Sequence, residues 1–259
     1  MNDLRKWNFK VVLAGPGAVG KTSIRERYMG KGFETSYLKT IGADFASKKI
    51  QKDEDLITFQ IWDLAGQDSY KVVRSTFYKG AIAGILVFDC QDPTTMTNLK
   101  EWLDEAIKGS NNGILVYIVI ANKIDLKEER RVSRDMALEF CNRMKTETGI
   151  RFYYSETSAL TGQNIQETFE FLADKLLEVN NIKDAMPFAK TNGIIDLDDY
   201  DETPKEVSTV SVSSDSVSSD SVSRDEFTEL QDRIHTIEER LNTIQTIIKK
   251  IVEKIQEEE

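Results

Sequence analysis

The stretch GPGAVGKT, residues 15–22, constrains the fold of this chain more than any other. It follows the apolar run FKVVLAG and opens a helical pattern over residues 20–30, so a glycine-rich turn joins a strand to a helix. Glycines let backbone N–H groups turn inward on a polyphosphate, and the helix start presents the positive end of its dipole. The stretch fits G-x-x-x-x-G-K-[ST] and predicts a phosphate loop in which Lys21 reaches the β- and γ-phosphates and the Thr22 hydroxyl coordinates Mg²⁺.

Apolar runs alternate with helical patterns over the first two thirds of the chain. The runs GILVFD (84–89) and ILVYIVIAN (114–122) are apolar almost throughout, which is typical of strands buried on both faces of a parallel sheet. Alternation of this kind predicts a doubly wound α/β domain with its ligand at the carboxyl ends of the strands. The other expected strands are 42–52, 56–63 and 151–156, and the expected helices are 95–108, 133–147 and 164–179.

The four residues NKID, 122–125, follow a buried strand and indicate the base of the nucleotide. A carboxylate at Asp125 accepts hydrogen bonds from the ring N–H and the exocyclic amine of guanine, whereas adenine presents an unprotonated ring nitrogen there and no amine. The stretch ETSAL, 156–160, follows the last strand, and the N–H groups of Ser158 and Ala159 are expected to meet the guanine carbonyl oxygen. A P-loop ATPase is the rival interpretation, and Asp125 argues against it.

Composition excludes several other functions. Residues 1–180 carry 25 basic and 25 acidic side chains and residues 181–259 carry 9 and 19, so the whole net charge of −10 lies in the last third and argues against nucleic acid as a partner. The only histidine, His235, lies outside the α/β region, which excludes a Ser-His triad or His-based zinc hydrolysis there. Cys90 and Cys141 are expected to be buried thiols, since neither has a neighbouring Cys or His.

The motifs together resemble those of the Ras-superfamily small GTPases. The phosphate loop, TIGADF (40–45), QIWDLAGQD (60–68), NKID and ETSAL occur in the order and spacing of that family, and FYKGA (77–81) and LVFD (86–89) look most like its Rab branch. The resemblance covers residues 7–178. It implies a three-layer P-loop NTPase domain with a mostly parallel central sheet, binding GTP and GDP with Mg²⁺.

The resemblance also implies roles for the residues that match the family's motifs. Thr40 joins the Mg²⁺ shell from switch I, Asp63 holds Mg²⁺ through water, and Gly66 donates its switch II N–H to the γ-phosphate. Gln67 orients the attacking water, and a side chain at Gly17 would crowd Gln67 and the γ-phosphate. The expected catalytic residues are Gln67, Lys21 and Gly66; the expected nucleotide-binding residues are Gly15, Gly17, Ala18, Val19, Gly20, Lys21, Thr22, Ser23, Phe33 (against the base), Thr40, Asp63, Gly66, Asn122, Lys123, Asp125, Ser158, Ala159 and Leu160.

Hydrolysis by such a site is positioning plus charge neutralisation, and one glutamine without an arginine finger is a slow catalyst. The resemblance therefore implies slow intrinsic GTP hydrolysis, with exchange factors, GTPase-activating proteins and effectors as partners. Two positions depart from the family pattern. Leu64 stands in place of Thr, at a position that the Mg²⁺ and γ-phosphate contacts do not require, and Leu160 stands in place of Lys, a variation compatible with Rab-type sequences. The rival function from another class is a scaffold whose nucleotide is structural and never turned over.

The sequence predicts three regions: the GTPase domain over 1–180, a disordered acidic and Ser-rich linker over 181–226, and a coiled-coil helix over 227–257. Apolar residues of the last region follow steps of 3 and 4, with Ile at most core positions, which favours trimers or tetramers over dimers. An amphipathic helix folding back onto the GTPase domain is the alternative. The repeating core residues are Phe227, Leu230, Ile234, Ile237, Leu241, Ile244, Ile248, Ile251 and Ile255.

Rab-like proteins end in prenylated cysteines, whereas no cysteine follows Cys141 and Asn2 stands where N-myristoylation requires glycine. We expect no direct lipid anchor. With no signal peptide and no apolar run of 18 residues, the chain is expected in the cytoplasm, and any membrane recruitment runs through protein partners.

Overall fold

The computed structural model describes residues 4–32, 40–180 and 193–197. Phe33, the coiled coil predicted over 227–257 and most of the predicted linker lie outside the described residues, so those expectations stay predictions.

A seven-stranded mixed sheet forms the centre of the described structure, in the order β2-β3-β1-β4-β5-β6-β7. Neighbouring strands are parallel except at the two edges, where β2 runs antiparallel to β3 and β7 antiparallel to β6. The order reverses at β1, which lies between β3 and β4, so the loop after β1 opens at the topological switch point of the sheet. The strands are β1 Arg5–Ala14, β2 Ala43–Lys52, β3 Asp55–Leu64, β4 Ala83–Asp89, β5 Val116–Asn122, β6 Arg151–Glu156 and β7 Ile194–Asp196.

Helices cover both faces of the sheet and give it three layers. Ile24 of α1 and Leu172 of α6 belong to the apolar core on one face, whereas Leu103 of α4 and Leu138 of α5 belong to the core on the other. Strands β4 and β5 are buried along their whole length, as expected for strands between two helical layers. The helices are α1 Lys21–Tyr28, α2 Lys71–Tyr78, α3 Pro93–Thr97, α4 Leu99–Ser110, α5 Arg134–Thr148 and α6 Ile165–Val179.

The structure confirms the predicted α/β class and the predicted strands, and it splits the helix expected over 95–108 into α3 and α4. Helix α2 was not predicted, because its eight residues are too few for a clear helical period and no phosphate loop precedes it to mark a helix start, as one does for α1. Both cysteines are buried free thiols, as expected. Tyr78, in the stretch FYKGA, is fully buried and belongs to the core.

The prediction of a disordered linker over 181–226 is wrong for residues 193–197. Ile194–Asp196 pair with β6 as the edge strand β7, and Leu197 is 3% exposed and joins the core. The Asp196 carboxylate lies 3.1 Å from the Lys175 ammonium of α6. Three apolar residues inside an acidic stretch, Ile194, Ile195 and Leu197, therefore bury enough surface to add a strand. The average composition of the linker does not reveal so short an apolar segment.

No helix in the described part of the chain is long and apolar enough to cross a membrane.

Candidate nucleotide-binding site

The loop between β1 and α1 requires glycine at two positions. Gly15 has φ +140°, and a Cβ there would lie 2.3 Å from the Val87 carbonyl oxygen of β4. Gly20 has φ +96°, and its Cβ would lie 2.3 Å from Nδ2 of Asn122. Both conformations are strained for any residue with a side chain, so the backbone can turn here only because no Cβ is present.

Lys21, the first residue of α1, is 6% exposed and lies under this loop. Its ammonium donates to the carbonyls of Gly15, at 2.7 Å, and Pro16, at 2.6 Å. Burial lowers the pKa of Lys21 to about 8, while the Asp63 carboxylate opposes the shift and the Arg74 cation adds to it. A polyphosphate would replace the two carbonyls with charged acceptors and restore the ammonium to its usual pKa range.

The three residues expected at the metal converge from three segments. The Thr22 hydroxyl donates to Oδ2 of Asp63 at 2.5 Å and lies 2.9 Å from the Thr40 hydroxyl. Asp63 is fully buried at the end of β3, and burial raises the pKa of its carboxyl. Within the described residues its other oxygen, Oδ1, has no hydrogen-bond partner.

This donor set fits Mg²⁺, which binds through one or two protein oxygens and completes its shell with water and substrate phosphates. Two hydroxyls and one carboxylate are present, and one oxygen of that buried carboxylate, Oδ1 of Asp63, has no hydrogen-bond partner among the described residues. Among the described residues no group of three or more His, Cys, Asp or Glu is placed to hold a metal ion.

Gly66 and Gln67 follow β3 and lie against the phosphate loop. A Cβ at Gly66 would lie 2.6 Å from the Pro16 carbonyl and 2.5 Å from the Gly17 nitrogen, so the two loops pack backbone to backbone. A Cβ at Gly17 meets only the Gly66 oxygen, at 4.0 Å, an ordinary contact. Protein atoms alone therefore do not produce the crowding expected at Gly17, which requires the γ-phosphate as well.

Asn122 ties the base side of the site to the phosphate loop. Its Nδ2 donates to the Val19 carbonyl at 2.8 Å, and its Oδ1 accepts from the Thr157 hydroxyl at 3.1 Å and the Ala159 N–H at 3.2 Å. The side chain is 1% exposed, so one buried amide fixes the positions of two loops. The Ser158 N–H donates to the Gln163 carbonyl at 3.2 Å, so the two N–H groups expected at the guanine oxygen both donate within the protein here.

Asp125 is oriented by the Ser158 hydroxyl, which donates to its Oδ1 at 2.5 Å. Lys123 has φ +68°, and its ammonium pairs with the Asp89 carboxylate at 2.6 Å. The bond from Ser158 to Asp125 holds ETSAL and NKID together at the carboxyl ends of β6 and β5, and the Lys123–Asp89 pair joins NKID to the end of β4.

The remaining expected residues surround this centre. Ala18 is exposed with φ +63°, Val19 is buried, and Ser23 is half-buried in the first turn of α1. Leu160 is 49% exposed, and its carbonyl accepts from Arg27 of α1 at 2.8 Å.

Sequence reasoning missed Asp89 and Thr157, which hold Lys123 and Asn122 in place. Asp89 ends a buried strand beside NKID, a signal that the sequence offers. Thr157 carries no such signal, because nothing in the sequence shows that its hydroxyl faces Asn122.

A phosphate loop at the switch point of a mostly parallel sheet, with NKID and ETSAL at the adjoining strand ends, defines a P-loop nucleotide-binding domain. The family model that describes the Ras family matches residues 10–178, and the chain belongs to that family.

The similar proteins are of the Rab type. The chain is 37% identical to the Ypt/Rab-type GTPase ypt7 of Schizosaccharomyces pombe over 178 residues, which is 67% of this chain and 84% of the relative. It is 36% identical to the Ras-related protein Rab7 of Drosophila melanogaster over 182 residues, 69% of this chain and 85% of the relative. The Ras-related protein YPTC6 of Chlamydomonas reinhardtii is 36% identical over 171 residues, which is 66% of this chain and 76% of the relative. The chain is accordingly a Rab-branch GTPase that binds GTP and GDP with Mg²⁺ as cofactor.

Proposed function

We propose that the chain is a Rab-like switch in which Thr22, Thr40 and Asp63 hold Mg²⁺ against the β- and γ-phosphates of GTP. The observation that carries the proposal is the convergence of these three side chains within hydrogen-bond distance beside Lys21. Thr40 lies in a loop, whereas Thr22 belongs to α1 and Asp63 to β3, so the site is complete only when that loop lies over the phosphates. Such dependence on one loop suits a switch that reports the γ-phosphate.

Each residue has a separate task in this proposal. Bound Mg²⁺ neutralises charge on the β- and γ-phosphate oxygens. Lys21 supplies a second positive charge from a buried position, the Gly66 N–H donates to the γ-phosphate, and Gln67 orients the attacking water. Asp125 selects guanine. Phe33, which lies outside the described residues, packs on the base.

Substitution of Asp63 tests the metal assignment. In the wild type, removal of Mg²⁺ with EDTA should accelerate GDP release, because the phosphates then lose a bound cation. Asp63→Asn should release GDP fast in both conditions, so that EDTA changes its rate by less than twofold. Asp55→Asn is the matched control, since Asp55 is also a buried carboxylate of β3 but pairs with Arg5 at the far end of the strand. An EDTA response in Asp63→Asn equal to that of the wild type would contradict the assignment.

Substitution of Gln67 separates a hydrolysing switch from the alternative, a scaffold with a structural nucleotide. Loss of one hydrogen bond to a developing charge costs about 1.5–3 kcal/mol, or roughly 10- to 100-fold in rate. Gln67→Leu should lower single-turnover GTP hydrolysis by that factor. Equal rates in the two proteins would refute the role of Gln67, and a wild type that never hydrolyses GTP would favour the scaffold.

We further propose that GTP-dependent effectors bind an apolar surface next to these loops. The Phe45 and Trp62 rings lie 5.1 Å apart, and Trp62 lies 5.3 Å from Phe77 of α2. Phe45 is 49% exposed, and Ile41 and Val72 are exposed still further, at 79% and 83%. Because this surface spans the segments after Thr40 and Gln67, its shape depends on the γ-phosphate. Proteins that bind the GTP-analogue form of the wild type and not its GDP form should fail to bind Phe45→Ala. Binding that depends neither on the nucleotide nor on Phe45 would contradict the proposal.

Membrane trafficking is the process that the Rab-type relatives suggest for this chain, with recruitment to membranes through protein partners. The coiled coil predicted over 227–257 would supply self-association or a partner helix.

A further inference from the structure

A buried arginine outside the nucleotide site holds the segment that carries Gln67. Arg74 lies on α2 and is 2% exposed. Its Nη1 donates to two carbonyl oxygens, that of Ala65 at 3.0 Å and that of Gln67 at 2.6 Å. Its Nε and Nη2 form a bidentate pair with the Glu105 carboxylate of α4, at 2.8 and 2.9 Å. All three guanidinium nitrogens therefore have acceptors.

The surroundings of Arg74 leave its guanidinium little freedom. The group lies 4.0 Å from the centre of the Trp102 ring, whose side chain is itself 6% exposed. A buried cation is costly unless it is fully paired, and a planar guanidinium stacked on an aromatic ring and fixed by a carboxylate is pre-organised. Glu105 and Trp102 thus fix the position from which Arg74 donates to the two carbonyls.

The two carbonyls flank Gly66, the residue that packs against the phosphate loop. A Cβ added at Gly66 would lie 2.5 Å from the Gly17 nitrogen, so the backbone of this segment packs closely on the phosphate loop. A small displacement of the segment would change the distance between Gln67 and the phosphates. Misplacement by an ångström can cost up to about a hundredfold in rate. Hydrogen bonds from Arg74 to the backbone carbonyls of both Ala65 and Gln67 are therefore a direct means of holding that distance.

We infer that Arg74 is a positioning residue for GTP hydrolysis, which holds the backbone of residues 65–67, and through it Gln67, while Glu105 and Trp102 hold Arg74. The inference rests on the proposed role of Gln67. The competing explanation is that Arg74 and Glu105 only join α2 to α4. The two explanations differ in whether the effect of Arg74 on the rate requires Gln67.

A double-mutant cycle between Arg74 and Gln67 distinguishes them, with single-turnover GTP hydrolysis and GDP release measured on the full chain with Mg²⁺. Arg74→Lys keeps the positive charge but cannot reach two carbonyls and a carboxylate at once. It should lower the hydrolysis rate roughly tenfold and change GDP release by less than twofold. In the Gln67→Leu background it should cause no further loss, because the group that it positions is gone.

The controls keep each outcome informative. Arg5→Lys breaks another bidentate arginine–carboxylate pair, that with Asp55 at the opposite end of β3, and should leave hydrolysis unchanged. If Arg74→Lys fails to fold, Arg74→Met with Glu105→Leu replaces the pair by apolar side chains, an exchange that buried pairs often tolerate. It should show the same tenfold loss.

The inference is overturned if Arg74→Lys hydrolyses GTP at the wild-type rate, or if its loss is equally large in the Gln67→Leu background. If Gln67→Leu itself hydrolyses GTP at the wild-type rate, the proposed role of Gln67 fails, and the inference fails with it. If Arg74→Lys hydrolyses GTP at the wild-type rate while Gln67→Leu is impaired, the inference is refuted and the proposed role of Gln67 is unaffected.

Discussion

At the scale of single residues, Lys21 should make the affinity for nucleotide depend on pH. Burial lowers its pKa to about 8 in the described structure, and a bound polyphosphate would raise it again. Only the protonated side chain binds phosphate well, so GDP affinity should be constant below about pH 7 and fall by about tenfold between pH 7 and 9. Titration of GDP affinity against pH measures this. Lys21→Arg, charged throughout that window, should bind with affinity independent of pH; a wild-type affinity equally independent of pH would contradict the assignment.

Single positions also show how far sequence reasoning extends. The pattern G-x-x-x-x-G-K-[ST] requires Gly15 and Gly20, and the structure gives the reason, since a Cβ at either position would lie 2.3 Å from another atom. The pattern cannot place Arg74, because no motif shows that a helix found only in the structure directs its guanidinium at the carbonyl of Gln67. Local chemistry at a loop was predictable, whereas contacts between distant segments were not.

At the scale of elements, strands buried on both faces were the most predictable features. The run VYIVIAN is apolar enough to identify β5, and the strands expected over 42–52 and 56–63 pair as the β2–β3 hairpin. Helix α2 and strand β7 were missed for the same reason, since each is short and takes its stability from tertiary contacts instead of from a repeating pattern. The carbonyl of Gly193, before β7, accepts the N–H of Glu156 at the end of β6, a contact that no local pattern reveals.

Gly193→Ala should detach β7 from the sheet. Gly193 has φ +117°, and a Cβ would lie 2.2 Å from Nδ2 of Asn164. Detachment would expose Leu197, whose burial is worth about 1.5–3 kcal/mol, so the free energy of unfolding in urea should fall by about that amount. Gly149→Ala, also at positive φ but with open space around its Cβ, controls for backbone strain alone. Equal losses of unfolding free energy in the two variants would contradict the packing of β7 against β6.

At the scale of the whole molecule, the heptad repeat over 227–257 predicts association of several copies. Light scattering should show an oligomer for the full chain and a monomer after deletion of residues 227–259. Each copy's GTPase domain should hydrolyse GTP at the same rate in both proteins, because the residues proposed for the site all precede residue 161. A full chain that is already monomeric would refute the association and favour a helix folded back on the domain.

We propose that this molecule is a switch specific for guanine nucleotides, and competition between nucleotides is the sharpest test of that specificity. GTP and ATP would compete with a fluorescent GDP for the full chain in Mg²⁺, and for Asp125→Asn, which keeps the side-chain shape but loses the acceptor pair. A site built to hydrogen-bond guanine should prefer GTP by at least about a thousandfold. Asp125→Asn should lose most of that preference. Competition by ATP within tenfold of GTP in the wild type would contradict the account.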